Sequence, residues 1–176
     1  MKFELLKSEP IYQGRAFNVR RDSLLTPGGL EVKLDIIEHI GAVTILPIDE
    51  EGQVWFVRQY RHASGKVLLE LPAGTLNPGE APEACAAREV REEIGMAAGR
   101  LQKLGSFYLA PGYSTEYMHV FLALDLRPDP LPSDEDEYLS VEKIPAAHLM
   151  EQVAAGEIQD GKTLAALFLG GQFLPG

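Results

Sequence analysis

The chain has 176 residues, 45% of them hydrophobic and 24% charged, as expected of a globular protein of one-domain length. A formal net charge of −10 argues against a nucleic-acid-binding face, and it requires cations to mediate contact with any anionic ligand. The single cysteine, Cys85, excludes an internal disulfide and points to a reducing compartment, the cytoplasm; no apolar run reaches the roughly 18 residues of a membrane span.

Alternating apolar and polar positions predict strands over 3–12, 17–25 and 30–40. A hairpin follows, with strands over 43–48 and 54–60 joined by Asp49-Glu50-Glu51-Gly52. A short strand over 68–71 ends at Pro72, and Asn77-Pro78-Gly79-Glu80 is a turn. Residues 81–94 are rich in Ala, Glu and Arg, lack internal Gly or Pro, and read as a helix stopped by Gly95. Strands are expected over 104–109, 117–126 and 138–143, the last two separated by an acidic, proline-containing loop over 127–137. Helices over 146–155 and 162–169 close the chain. The order gives an α+β domain with a mixed sheet and helices packed on it.

Glu89, Glu92 and Glu93 stand at i, i+3 and i+4 and share one helix face. Arg88 and Arg91 fall about 100° to the side or further round, and Ala87, Val90 and Ile94 form the opposite, sheet-facing side. The expectation is an acidic stripe aimed away from the core. One reading is a solvated acidic face. The other is a partial ligand shell for a hard divalent cation, which takes oxygen ligands and shares the rest of its shell with water and phosphate.

The surroundings discriminate between the two. Gly74 is followed by five residues, Glu80 by seven, and then comes Arg88-Glu89-Val90-Arg91-Glu92-Glu93-Ile94-Gly95-Met96. This resembles the Nudix box, G-x5-E-x7-R-E-U-x-E-E-x-G-U with U apolar, at every defined position. The resemblance implies a Nudix-type α/β/α sandwich spanning 1–176, with an N-terminal antiparallel strand segment over 1–40 and a catalytic core over 41–176. It implies Mg²⁺ or Mn²⁺ held by Glu89, Glu92, Glu93 and the Ala73 carbonyl, and metal-assisted attack of water on a diphosphate. Gly74, Glu80, Arg88 and Gly95 become structural members of the box, with Glu80 near the helix amino end and paired to Arg88.

The segments Val57-Arg58-Gln59-Tyr60-Arg61, Glu70-Leu71-Pro72-Ala73-Gly74 and Ala110-Pro111-Gly112-Tyr113-Ser114-Thr115-Glu116 resemble the ADP-ribose pyrophosphatase branch. Ala110 departs from a common Ser, which bears on fine substrate preference. The branch implies substrate contacts from Arg61, to the diphosphate, and from Gly112 and Glu116, the latter at the sugar end. The plainer readings are a strand-end arginine and an exposed loop carboxylate. Ser133-Asp134-Glu135-Asp136-Glu137 is similar to a mobile loop that carries the general base, with Glu135 matching best, Glu137 in reserve, and Glu93 also catalytic; its plainer reading is a solvated charge run. The implied reaction is hydrolysis of ADP-ribose to AMP and ribose 5-phosphate by a homodimer built through the N-terminal strands. The alternatives are another nucleoside diphosphate sugar, such as GDP-mannose, or a nucleotide-sensing module without turnover.

Gly156-Glu157-Ile158-Gln159-Asp160-Gly161-Lys162-Thr163 matches G-x-x-x-x-G-K-[ST]. A phosphate-binding loop of that type follows a buried strand, whereas a helix is expected over 146–155, so the stretch reads as a helix–turn–helix connection with Thr163 near a cap. The four histidines have no zinc-protease spacing, and Cys85 is a small packing residue.

Overall fold

The strand pattern of the first forty residues produces β1 (Glu4–Gln13), β2 (Asn18–Leu25) and β3 (Glu31–Glu38), an antiparallel sheet in that order. This computed structural model describes residues 2–133 and 137–174. The chain divides into two compact units, Met1–Gly41 with Tyr108–Tyr117, and Ala42–Phe107 with Met118–Gly176. In the first, cross-strand ion pairs knit the sheet: Arg21 to Asp35 at 2.7 Å and Arg20 to Glu38 at 2.6 Å. The later segment joins through backbone bonds. Ile37 N donates to Tyr113 O at 2.8 Å and Thr115 N donates to Ile37 O at 2.9 Å.

The second unit carries β4 (Ala42–Pro47), β5 (Gln53–Arg61), β6 (Lys66–Glu70), β7 (Ala73–Thr75), α1 (Pro82–Glu93), β8 (Met96–Tyr108), β9 (Tyr117–Pro128), β10 (Leu139–Pro145), α2 (Leu149–Ala154) and α3 (Gly161–Leu169). Its sheets run β7-β4-β9-β8 and β10-β5-β6. The first is mixed, since β4 pairs parallel with β9 and antiparallel with β7.

Every residue of β4 is buried because both of its faces are covered. Val43 and Ile45 pack with Cys85 and Ala86 of α1, while Leu46 joins Leu149, Ala166 and Leu167 of α2 and α3. Phe121 and Val120 of β9 divide the same way. Val57 of β5 meets Val90 and Ile94 in a third cluster. The result is an α/β/α sandwich with a mixed sheet, the fold the sequence resemblance implied, each buried Leu, Ile or Val contributing roughly 1.5–3 kcal/mol.

The hairpin expected between 43–48 and 54–60 does not form: β4 and β5 belong to different sheets and meet through the single bridge Ile48–Val54 among the described residues. Three further elements differ from the sequence expectation. The strand expected over 104–109 begins at Met96, β7 was not anticipated, and the helix expected over 146–155 opens with a 3₁₀ turn at Ala146–His148. No helix among the described residues is long and apolar enough to cross a membrane.

Candidate active site

The turn before α1 is closed on itself. Asn77 N donates to the Glu80 carboxylate at 2.8 Å, and Glu80 N returns a bond to Asn77 O at 2.9 Å. Pro82 occupies the first helical turn, where a missing N–H is harmless. The helix stops at Gly95, whose φ of 70° lies in the left-handed region that glycine enters without strain. Asp129 N then donates to Gly95 O at 3.0 Å, Leu131 N to Arg91 O at 3.1 Å and Ser133 Oγ to Glu92 O at 2.9 Å. The acidic loop is thereby anchored to the carboxyl end of α1, satisfying carbonyls that a helix end leaves open.

Two columns of α1 face inward. One is Ala86, Val90 and Ile94; the other is Cys85, Glu89 and Glu93. This corrects the expected acidic stripe pointing outward: Glu89 and Glu93 are each only 6% exposed, Glu92 is half-buried, and Ala87 lies less deep than Val90. Glu93 Oε2 accepts from Ala73 N at 3.0 Å. The Glu89 carboxylate lies against Gly74 so closely that a Cβ there would collide with it.

The expectation that Arg88 stands aside from the carboxylates is also overturned, because a long guanidinium stem can curl along the helix. Arg88 Nη1 donates to Glu89 at 2.6 Å and Glu92 at 2.7 Å, while Nε and Nη2 clasp Glu80, each at 3.0 Å. That clasp, together with the Asn77 N–H, draws the Glu80 carboxyl down to about 2.

One arginine does not satisfy this cluster. Burial pushes Glu89 up to about 7 despite Arg88, and the charges of Glu92 and Glu137 add to the effect. Glu93 is pushed well above the usual carboxylate range, again chiefly by burial, with Glu89 and Glu137 opposing its ionisation. Carboxylates held in water-poor surroundings with too few partners are costly as anions. Carboxylate oxygens are the donors a hard divalent cation takes, while among the described residues no three acidic, histidine or cysteine side chains are gathered as a ready ligand cluster.

The pattern of the NUDIX domain family matches residues 38–167. The chain belongs to the Nudix family. An ADP-ribose pyrophosphatase from Mycobacterium tuberculosis is 40% identical over 94% of this chain and 81% of its own length. One from Bacillus subtilis is 35% identical over 92% and 89%. A GDP-mannose pyrophosphatase from Yersinia pestis is 38% identical over 72% and 68%. The crystal structure of an ADP compounds hydrolase superposes with a TM-score of 0.88 at 29% identity, covering 98% of this chain and 94% of that one. Nudix hydrolases as a family depend on divalent metal ions.

Around the Nudix helix, Arg61 at the end of β5 makes a two-point ion pair with Glu70 of β6, at 2.8 and 2.7 Å. The hydrogen-bonded Glu70 carboxylate raises the affinity of the guanidinium for its proton, and the charge of Glu93 adds to it. Ala73 opens β7 beside Glu93, paired to Thr44 of β4. Glu137 is half-buried and close enough for its charge to act on Glu89 and Glu93, whereas Glu135 lies outside the described residues. Gly112 and Glu116 fall in the first unit; Gly112 is exposed, and Glu116 closes the loop by accepting Leu109 N at 3.2 Å. The GEIQDGKT stretch caps α3: the Asp160 carboxylate accepts from Thr163 N at 3.0 Å. Sequence reasoning gave Glu70 and Lys162 no role. The available signal was a glutamate inside the apolar run Leu68-Leu69-Glu70-Leu71, since a charge in a buried strand must be met by another.

Proposed function

We propose that this chain hydrolyses ADP-ribose to AMP and ribose 5-phosphate, using Mg²⁺ or Mn²⁺ held by Glu89, Glu92, Glu93 and the Ala73 carbonyl. The observation that carries the reading is the excess of carboxylate at α1: Glu89 and Glu92 share Arg88 with Glu80 of the preceding turn, and Glu93 accepts from Ala73 N. Bound divalent ions would neutralise the diphosphate and acidify the attacking water. Arg61 contacts a phosphate oxygen, supplying a cation in an acidic protein. A carboxylate, Glu93 or Glu135 or Glu137, takes the proton of the water as its oxygen attacks phosphorus. The diphosphate P–O bond then breaks and the second phosphate leaves as a monoester. The anchoring of the loop at Ser133 and the reach of Glu137's charge to Glu89 and Glu93 support a base from this loop. We read Gly112 and Glu116 as substrate contacts by resemblance, and Gly74, Glu80, Arg88 and Gly95 as the residues that shape the box.

The preference for ADP-ribose rests on the two pyrophosphatase relatives that match over nearly the whole chain. The GDP-mannose relative supports a second reading, hydrolysis of another nucleoside diphosphate sugar, over a shorter stretch. We read the N-terminal strands as the arm of a homodimer: β1 is exposed almost end to end, and Phe3, Leu5, Leu6, Ile11 and Tyr12 present apolar surface that a second copy would cover. We place the enzyme in the cytoplasm, consistent with its one unpaired thiol.

The test follows wild type and Glu93→Gln on a panel of nucleoside diphosphate sugars with Mg²⁺, resolving the products. ADP-ribose turnover to AMP and ribose 5-phosphate, lost in the variant, supports the reading. Preference for GDP-mannose corrects the substrate and keeps the chemistry. Nucleotide binding without turnover under any divalent ion replaces the enzyme with a sensing module.

A further inference from the structure

The stretch that mimics a phosphate-binding loop makes its contacts at the strand end that carries the site. Lys162, 9% exposed, ion-pairs with Glu70, itself 1% exposed. Asp160 holds Lys162 from the other side at 3.0 Å. Thr163 Oγ1 accepts from Leu71 N at 2.9 Å and donates to Asp160 at 2.6 Å. The amino end of α3 thus grips β6 at two consecutive residues, just before Pro72 and Ala73.

Glu70 is the hub. Its Oε1 accepts from Arg61 Nε, and its Oε2 accepts from both Arg61 Nη2 and Lys162. A carboxylate this deeply buried is tolerated only when its oxygens are matched. With both cations in place it cannot rotate without breaking a bond, so it fixes the plane of the guanidinium. Arg61 uses its Nε and Nη2 edge on Glu70, and among the described residues no hydrogen bond engages Nη1.

The geometry points to Lys162 as a positioning residue for the diphosphate: through Glu70 it holds the Arg61 guanidinium so that Nη1 meets a phosphate oxygen. This rests on the reading of Arg61 as a diphosphate contact. Without Lys162, Glu70 keeps its bond to Arg61 but loses the anchor to α3, and the pair moves as a unit. Substrate binding is weakened and no hydrogen bond or ion pair of the α1 carboxylates is lost; Glu93 feels only the more distant loss of the Lys162 charge.

The experiment is a double-mutant cycle on the intact enzyme, with wild type, Arg61→Ala, Lys162→Met and the double variant. KM and kcat are measured on whichever nucleoside diphosphate sugar the panel shows to be turned over best. Lys162→Met is expected to raise KM about tenfold, with kcat held within about threefold, and to add less than about twofold in the Arg61→Ala background. Lys162→Gln keeps a donor toward Glu70 and carries the same cycle should the Met variant not fold; partial rescue of KM is expected. An equal loss in both backgrounds makes the clamp purely structural and overturns the proposal. An unchanged KM in Arg61→Ala overturns it together with the reading of Arg61. A change of preferred sugar alone corrects the proposed substrate and leaves the cycle readable.

Discussion

Two stretches of this chain match patterns associated with phosphate chemistry, and they treat charge in opposite ways. In the GEIQDGKT stretch, Asp160 and Lys162 are joined to Glu70 and Arg61 in a set of two anions and two cations. In α1 and its preceding turn, Glu80, Glu89 and Glu92 converge on Arg88, and Glu93 has a single backbone N–H. Both sets are substantially buried. The first is complete as it stands, so it holds α3 to β6. The second is short of positive charge and becomes stable as anions only when something else brings it. Unbalanced burial, more than the pattern of letters, separates a site from a clamp.

That contrast can be broken at its strongest point first. Glu93→Gln is expected to lower kcat by about 10²–10⁴-fold while the melting temperature stays level or rises, because a poorly compensated buried anion is removed. A large fall in melting temperature would mean that Glu93 belongs to a balanced set after all.

Glu80→Gln sharpens the structural half of the box. The folded-state carboxyl of Glu80 lies near 2, below its ordinary 4.5. Its contribution is therefore fully present above 4.5 and disappears as pH falls toward 2. The variant is expected to lose roughly 2–3 kcal/mol at pH 7, the gap to wild type closing as denaturation is repeated down to pH 3.

Metal addition probes the deficit directly. Calorimetry of metal-free wild type should show stabilisation by about 2.7 kcal/mol when Mg²⁺ or Mn²⁺ is a hundredfold above its Kd, and Glu93→Gln should show much less. Gly74→Ala forces a methyl group into the Glu89 carboxylate and is expected to cost about 1–3 kcal/mol along with most of the metal response. The smallest effect is on the balanced side. Asp160→Ala removes the cap of α3 and should cost about 1 kcal/mol in chemical denaturation, leaving the metal response as in wild type.

Much of this was legible in the chain. The spacing from Gly74 to Met96 located α1, its stop at Gly95 and the three carboxylates, because those features are local. What escaped depended on distant partners. β7 is three residues long and exists as a strand because Thr44, Val43 and Ala42 offer it an edge. The first part of β8, Met96 to Lys103, lies on an edge of the sheet and its apolar residues follow no strict alternation, so the pattern does not announce it. Periodicity places Glu89 and Glu93 on one face but is silent on whether that face meets solvent or the strand at Ala73. Arg88 was misjudged because residue spacing fixes a Cβ and not the end of a flexible side chain. Residues 134–136, with the loop glutamate that matched best, lie outside the described residues.

Cys85 lies one turn before Glu89 on the buried column of α1, and burial there pushes its thiol up to about 12. At neutral pH it is therefore protonated and shielded from alkylating reagents, which attack the thiolate. Labelling requires α1 to lift from the sheet. As the chain's sole cysteine, it gives one unambiguous mass increment per molecule, and its rate of capture counts excursions of the helix. Under the proposed metal assignment, occupancy of the neighbouring carboxylates is expected to slow that clock, which would make the cysteine a gauge of how firmly α1 is seated.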